Sequence, residues 1–170
     1  MFVYDELGIK GKSENEIRKS IILMVKQLQI SKSKVSFSLL SRVDTTSLQR
    51  RAIFLSNLQS RKTRSRSFKR LLKSLYKTIK FSPRKRNRKV VIVFNSGKQL
   101  QNKRIFQELK RLSGFSELYI VNLSKRYILY DKTHDLCLNG KHCIYTIDRD
   151  RSLNDILGSI KQQICHSKYC

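Results

Sequence analysis

At 170 residues the chain has room for one domain, or for a small domain with an extension, and for a real hydrophobic core. It carries 37 Lys and Arg against 12 Asp and Glu, a formal charge of +25, so a compact state needs a polyanionic partner to relieve its self-repulsion. The longest apolar run, Ile21 to Val25, falls far short of the ~20 residues that span a bilayer, which argues against an integral membrane protein.

Early acids at Asp5 and Glu6, with no apolar core before them, fit neither a secretory signal nor an Arg-rich transit peptide. Ser13-Glu14-Asn15-Glu16 reads as a capping box. The helix it opens carries Ile17, Ile21, Met24, Val25 and Leu28 on one face. Val35 to Leu39 alternates as a short strand, and a second helix is expected from Thr46 to about Leu58. Residues 1–59 are thereby expected to form a helical N-terminal extension.

Residues 60–67 contain no apolar side chain until Phe68 and read as a basic arm, extended until bound. An amphipathic helix follows, with Phe68, Leu71, Leu72, Leu75, Tyr76 and Ile79 opposite Lys69, Arg70, Lys73, Lys77 and Lys80. Pro83 ends it, and residues 84–89 form a second basic run inserted in an α/β domain that covers 68–170.

Val90 to Phe94 has the continuous apolar character of a buried strand. A helix from about Leu100 to Leu112 carries Ile105, Phe106, Leu109 and Leu112, with Gly114 as its cap. Strands are expected at Leu118 to Leu123, Tyr127 to Tyr130 and His142 to Ile147, the last after the turn at Asn139-Gly140. Ser152-Leu153-Asn154-Asp155 caps a final helix to about Ile164. The fold class is α/β (α+β): a small mixed sheet with flanking helices, preceded by the helical extension and the basic arm.

From Thr45 to Gln107 there is no acid, while 19 Lys or Arg fall in those 63 residues. A solvated face normally interleaves both signs, so this interval points to a phosphate backbone, and to RNA in the absence of any DNA-reading signature. The candidate RNA-binding residues are Arg50, Arg51, Arg61, Lys62, Arg64, Arg66, Lys69, Arg70, Lys73, Lys77, Arg84, Lys85, Arg86, Arg88 and Lys89. A generic basic tail and an anionic membrane surface are the alternatives.

Every Cys and His lies in the last 37 residues: His134, Cys137, His142, Cys143, Cys165, His166 and Cys170. The four cysteines are a candidate tetrahedral zinc set, at spacings looser than those of zinc ribbons, beside the readings that they are free or packed thiols or, less favoured, disulfides. No cofactor is otherwise expected. Asn95-Ser96-Gly97-Lys98 lacks the full phosphate-binding loop pattern and reads as an ordinary strand-to-helix turn. The pairs Asp131/Asp135 and Asp148/Asp150 sit among cations and read as solvated loop charges. With Cys143 and His166 the one nucleophile pair to consider, the chain is expected not to be an enzyme.

The order of basic helix, strand, helix ending Leu112-Ser113-Gly114-Phe115, and two strands resembles the N-terminal half of the eighth small-subunit ribosomal protein family. In that resemblance Val90 to Ser96 stands for the strand, Phe106 to Phe115 for the helix end, and His142 to Thr146 for a later strand. The family's signature loop falls near Cys165 to Tyr169, where only Ser167 and Lys168 match. The order strand, helix, strand, then two strands around Asn139-Gly140 is also similar to thioredoxin-like mitochondrial ribosomal proteins.

Both resemblances imply a structural rRNA-binding component of a ribosome, the small subunit favoured, with rRNA and neighbouring ribosomal proteins as partners. An RNA-processing or ribosome-assembly factor is the alternative. No membrane and no small-molecule substrate are implied. A composition with one Ala, one Pro and no Trp suits an AT-rich genome, so a mitochondrial location is expected, with the cytoplasm as the alternative.

Overall fold

Alternating apolar blocks and amphipathic helices build a three-layer sandwich. A computed structural model describes residues 1–4, 12–28, 39–40, 67–81, 88–95, 98–124, 135–137, 143–148 and 151–165. Its strands are β1 (Phe2–Tyr4), β2 (Leu39–Leu40), β3 (Val90–Asn95), β4 (Glu117–Asn122) and β5 (Ile144–Thr146). Its helices are α1 (Lys12–Gln27), α2 (Phe68–Lys80), α3 (Lys103–Ser113) and α4 (Leu153–Cys165), with a 3₁₀ turn at Lys98–Gln101 before α3. The strands lie in the order β2-β1-β3-β4-β5, and all four described pairings are parallel.

Parallel pairing explains the apolar runs. A strand covered by helices on both sides buries every side chain, so Val91 to Phe94 and Leu118 to Val121 are apolar without alternation. Pleating then sorts them. Val3, Val91, Val93, Leu118 and Ile120 face one layer, where they meet Phe68, Leu71, Leu72, Leu75 and Ile79 of α2 and Ile105, Leu109 and Leu112 of α3. Phe2, Ile92, Phe94, Tyr119, Val121 and Tyr145 face the other, against Ile17, Ile21, Met24 and Val25 of α1 and Ile156, Leu157 and Ile160 of α4. Each such side chain, fully buried, contributes roughly 1.5–3 kcal/mol.

The class expected from sequence is the one the structure has, but the first residues belong elsewhere than expected. Phe2–Tyr4 is no part of an extension: it is an interior strand, paired with β3 through Phe2↔Ile92, Val3↔Val93 and Tyr4↔Phe94. The Ile92 N–H also donates to the Met1 carbonyl (2.8 Å). The α1 helix lies beside α4, where the Ser20 hydroxyl donates to Asn154 Oδ1 (2.7 Å). The expected helix at 46–58, the arm at 60–67 up to Arg66, and the strand at Tyr127 to Tyr130 lie outside the described residues.

Helix ends follow local chemistry. Ser67 caps α2, its Oγ accepting from the Arg70 N–H (3.4 Å), and Asn102 caps α3 by accepting from the Arg104 N–H (3.0 Å). Ser152 and Asp155 form the reciprocal box expected for α4. Gly114 does close α3, yet in right-handed geometry (φ −71°), so left-handed freedom is not why it is there.

Candidate functional site

The two helices on the β1–β4 side of the sandwich share a charge pattern. In α2, the periodicity that sends Phe68, Leu71, Leu72, Leu75 and Ile79 inward leaves Arg70, Lys73, Lys77 and Lys80 exposed and Lys69 half-buried. In α3, burial of Ile105, Leu109 and Leu112 turns Lys103, Arg104, Lys110 and Arg111 outward. The helices are neighbours, so nine cations occupy one face of the protein. The single acid of these two helices, Glu108, is only 4% exposed. Its Oε1 lies 3.4 Å from the Arg111 guanidinium. The acid that ends the 63-residue gap therefore adds almost no negative surface.

A shallow open depression of about 360 Å³ on this face is lined by Gln107, Lys110 and Arg111. At the C-terminal ends of the two helices sits an aromatic group. The Phe115 ring stands edge-on to Tyr76 (centroids 5.6 Å apart, planes at 79°). Lys80 Nζ lies 5.7 Å from the Tyr76 ring centre and 5.6 Å from that of Phe81. Such placement holds the ammonium by cation–π attraction.

Of the expected site residues, Lys69, Arg70, Lys73 and Lys77 are brought together here. Arg88 and Lys89 are not part of the face, and their role is corrected. The Arg88 guanidinium is bound to both oxygens of Glu117, with NH2 to Oε2 at 2.6 Å, and donates to the Ile164 carbonyl (2.6 Å). It thereby ties the starts of β3 and β4 to the end of α4. Lys89 Nζ donates to the Ile79 carbonyl (2.8 Å), completing the last turn of α2 where the helix dipole favours a cation. Arg50, Arg51, Arg61, Lys62, Arg64, Arg66, Arg84, Lys85 and Arg86 lie outside the described residues.

Sequence reading missed the contribution of α3. Lys103, Arg104, Lys110 and Arg111 are visible as the polar side of an amphipathic pattern, but nothing in one sequence says that α2 and α3 are adjacent. It also missed Phe81 and Phe115 as surface residues.

The zinc reading fails. Cys137 and Cys143 are joined in a disulfide, and Cys165 is disulfide-bonded too, so no free thiolate of these three can ligate a metal. Cys170 and His166 lie outside the described residues. Among the described residues no group of three or more His, Cys, Asp or Glu side chains lies together.

Parallel sheets commonly bind ligands at the carboxyl ends of their strands, next to a topological switch. The switch falls between β1 and β3. Asn95 and Asn122 end β3 and β4 in register, both fully buried. Asn122 Oδ1 accepts from the Ser124 N–H (3.1 Å), and the Asn95 carbonyl from the Leu123 N–H (2.7 Å). The second of these contacts continues the β3–β4 ladder by one residue. Asp148 accepts from the Arg151 N–H (2.8 Å) and holds the turn before α4.

Burial sets the titration behaviour of the sheet tyrosines. The Tyr119 hydroxyl is pushed up to about 12, chiefly by desolvation and then by the Glu117 carboxylate beside it. Tyr145 is raised as well, again mainly by burial.

No protein-family model matches the chain, and no curated protein matches it in sequence. Solved structures do match. The conserved hypothetical protein BatB from Bacteroides thetaiotaomicron aligns over 97% of this chain and 96% of its own, at 10% identity and a TM-score of 0.65. A von Willebrand factor type A (VWA) protein from Catenulispora acidiphila aligns over 94% of this chain and 41% of its own, at 9% identity and a TM-score of 0.68. The VWA domain of SpRpn10 aligns over 94% and 93%, at 15% identity and a TM-score of 0.60. At such identities the likeness is one of fold, and the fold is a VWA-like α/β fold.

This overturns the ribosomal resemblances. The order of elements that resembled two ribosomal families belongs to a VWA-like sandwich, and the matching structures are not ribosomal proteins. The expected roles in rRNA binding or RNA processing go with it, as do rRNA and neighbouring ribosomal proteins as partners. No helix among the described residues is long and apolar enough to cross a membrane.

Proposed function

We propose that this chain is a non-enzymatic binding module whose α2/α3 face docks an acidic segment of a protein partner. One observation carries the reading: nine cations stand on two adjacent helices whose only acid is turned inward. The VWA-like neighbours favour a protein as the partner. Charge held on packed helices is pre-positioned, so it steers an oppositely charged segment and orients it without reordering the backbone. Exposed ion pairs contribute at most about 1 kcal/mol each, so affinity comes from several acting together and is sensitive to salt.

The binding reading is favoured over catalysis by what several of the described acids and thiols already do. Glu117 holds Arg88, Asp155 caps α4, Asp148 holds a turn, and Cys137 and Cys143 are bonded to each other. Each is engaged in building the fold.

The test is a titration of a fluorescein-labelled Asp/Glu-rich peptide by fluorescence anisotropy. Micromolar binding that weakens about tenfold or more from low to physiological salt is expected. The triple variant Lys69→Glu, Lys73→Glu, Lys77→Glu should abolish it while leaving the circular dichroism spectrum unchanged. Binding that ignores this variant, or a strong preference for single-stranded RNA over the peptide, would sink the proposal.

A further inference from the structure

We infer that the C-terminal ends of α2 and α3 form an aromatic notch that takes one bulky apolar side chain from within the acidic segment. The inference rests on the α2/α3 face being the docking surface and adds what that surface selects.

Among the described residues the large apolar side chains are buried or partly buried, with three exposed exceptions: Leu23, Phe115 and Phe81, at 44%, 47% and 72% exposure. Leu23 stands alone on α1. The two phenylalanines are linked through Tyr76, since Phe115 packs edge-on against its ring and Lys80 spans from that ring to Phe81. Phe81 directly follows α2, its N–H donating to the Lys77 carbonyl (2.9 Å), so its backbone is fixed. Phe115 is fixed likewise by its N–H to the Leu112 carbonyl (3.0 Å). Two exposed rings on fixed backbone, joined through Tyr76 and the Lys80 ammonium, make a pre-organised aromatic site whose occupation costs little ordering.

Its surroundings define the occupant. Lys77 and Lys80 lie in the last turn of α2, and Lys110 and Arg111 in the last turn of α3. A second copy of this chain would bring nine cations against nine, so self-association through this face is disfavoured. An apolar side chain flanked by Asp or Glu satisfies both features at once, as a central aromatic anchor with a charged rim does in protein interfaces. Phe115 is half covered by its contact with Tyr76 and acts as a wall, which suits an inserted side chain better than insertion of the ring itself into lipid.

The experiment compares two labelled twelve-residue peptides of Asp, Glu and Ser, identical except for Phe or Ser at the centre. The Phe peptide should bind about tenfold tighter to the wild-type chain. The Phe81→Ser variant, at a largely exposed position, and the Phe115→Ser variant should each erase most of that difference while leaving affinity for the Ser peptide unchanged. If both peptides bind equally, the notch is overturned while the acidic docking face stands. If neither binds, the docking face itself is lost, and the notch with it. Tighter, Phe81-dependent binding to phosphatidylserine vesicles or to polyuridine would reassign the rings to lipid or to base stacking and overturn the inference.

Discussion

The two helical layers of the sandwich do the same job for the core and opposite jobs for the surface. The α1/α4 layer and the α2/α3 layer each bury a continuous apolar stripe against the same sheet. Their sequences differ: α1 and α4 interleave five cations with three acids, whereas α2 and α3 carry nine cations and one buried acid. Side-chain packing therefore does not explain the asymmetry, because both layers satisfy it. A surface that sustains the self-repulsion of nine cations without interleaved acids is built for something outside the chain.

The largest expected effect tests whether the α2/α3 layer is core as well as surface. Phe68 is 1% exposed and anchors the first turn of α2, so Phe68→Ala should cost about 3–5 kcal/mol in denaturant unfolding. A cost under 1 kcal/mol would mean that α2 is only loosely docked. Next comes the surface contrast itself. Reversing Lys73 and Lys77 should weaken acidic-peptide binding by about 10–100-fold, while reversing Lys19 and Lys161 on the opposite layer should change it less than about threefold, both read by anisotropy. Equal losses would erase the distinction between the faces.

Reduction of the disulfide at the β5 edge probes the α2/α3 side from below. Leu136, 1% exposed, belongs to that core, and the Cys143 carbonyl accepts from the Ile120 N–H (2.8 Å). Breaking the Cys137–Cys143 link should lower stability by about 2 kcal/mol, checked by urea unfolding of the Cys137→Ser, Cys143→Ser double variant. Ser67→Ala removes the α2 cap and should cost about 1 kcal/mol, lowering the melting temperature by a few degrees.

The last test concerns the other layer and is a matter of pH. Tyr119 is held protonated up to about 12 in the fold, whereas in the unfolded chain it ionises near 10. Between those values the folded state binds more protons, so its stability falls as pH rises through that window. Tyr119→Phe should flatten the fall, measured by unfolding midpoints from pH 9 to 12.

Much of this architecture is legible in the sequence. The periodicity of Phe68 to Ile79 and the apolar runs at Val90 and Leu118 give helices and strands whose bounds shift by a residue or so, because burial on two sides leaves an unmistakable pattern. The strand Phe2–Tyr4 was not legible, since three residues carry no period and their partner lies at Ile92 to Phe94. Arg88 illustrates the converse. Within a run of cations it reads as a phosphate ligand, and only the position of Glu117, 29 residues on, shows it to be a strut. The acid gap was real as a pattern. Its meaning depended on which helices meet, and that information is tertiary.

The interior place of β1 has a consequence for how the chain is made. This strand is translated well before its β3 partner, which follows some 90 residues later, after the most basic stretch of the protein. At about 5–20 residues per second, Phe2 to Tyr4 wait roughly 5–20 s on the ribosome with one hydrogen-bonding edge unmatched. The sheet can close only after Val90 to Asn95 leave the exit tunnel, so the N-terminal third of the nascent chain has no route to a finished core by itself. Assembly is set by the arrival of β3, and a truncation just before Val90 should yield a polypeptide dependent on chaperones.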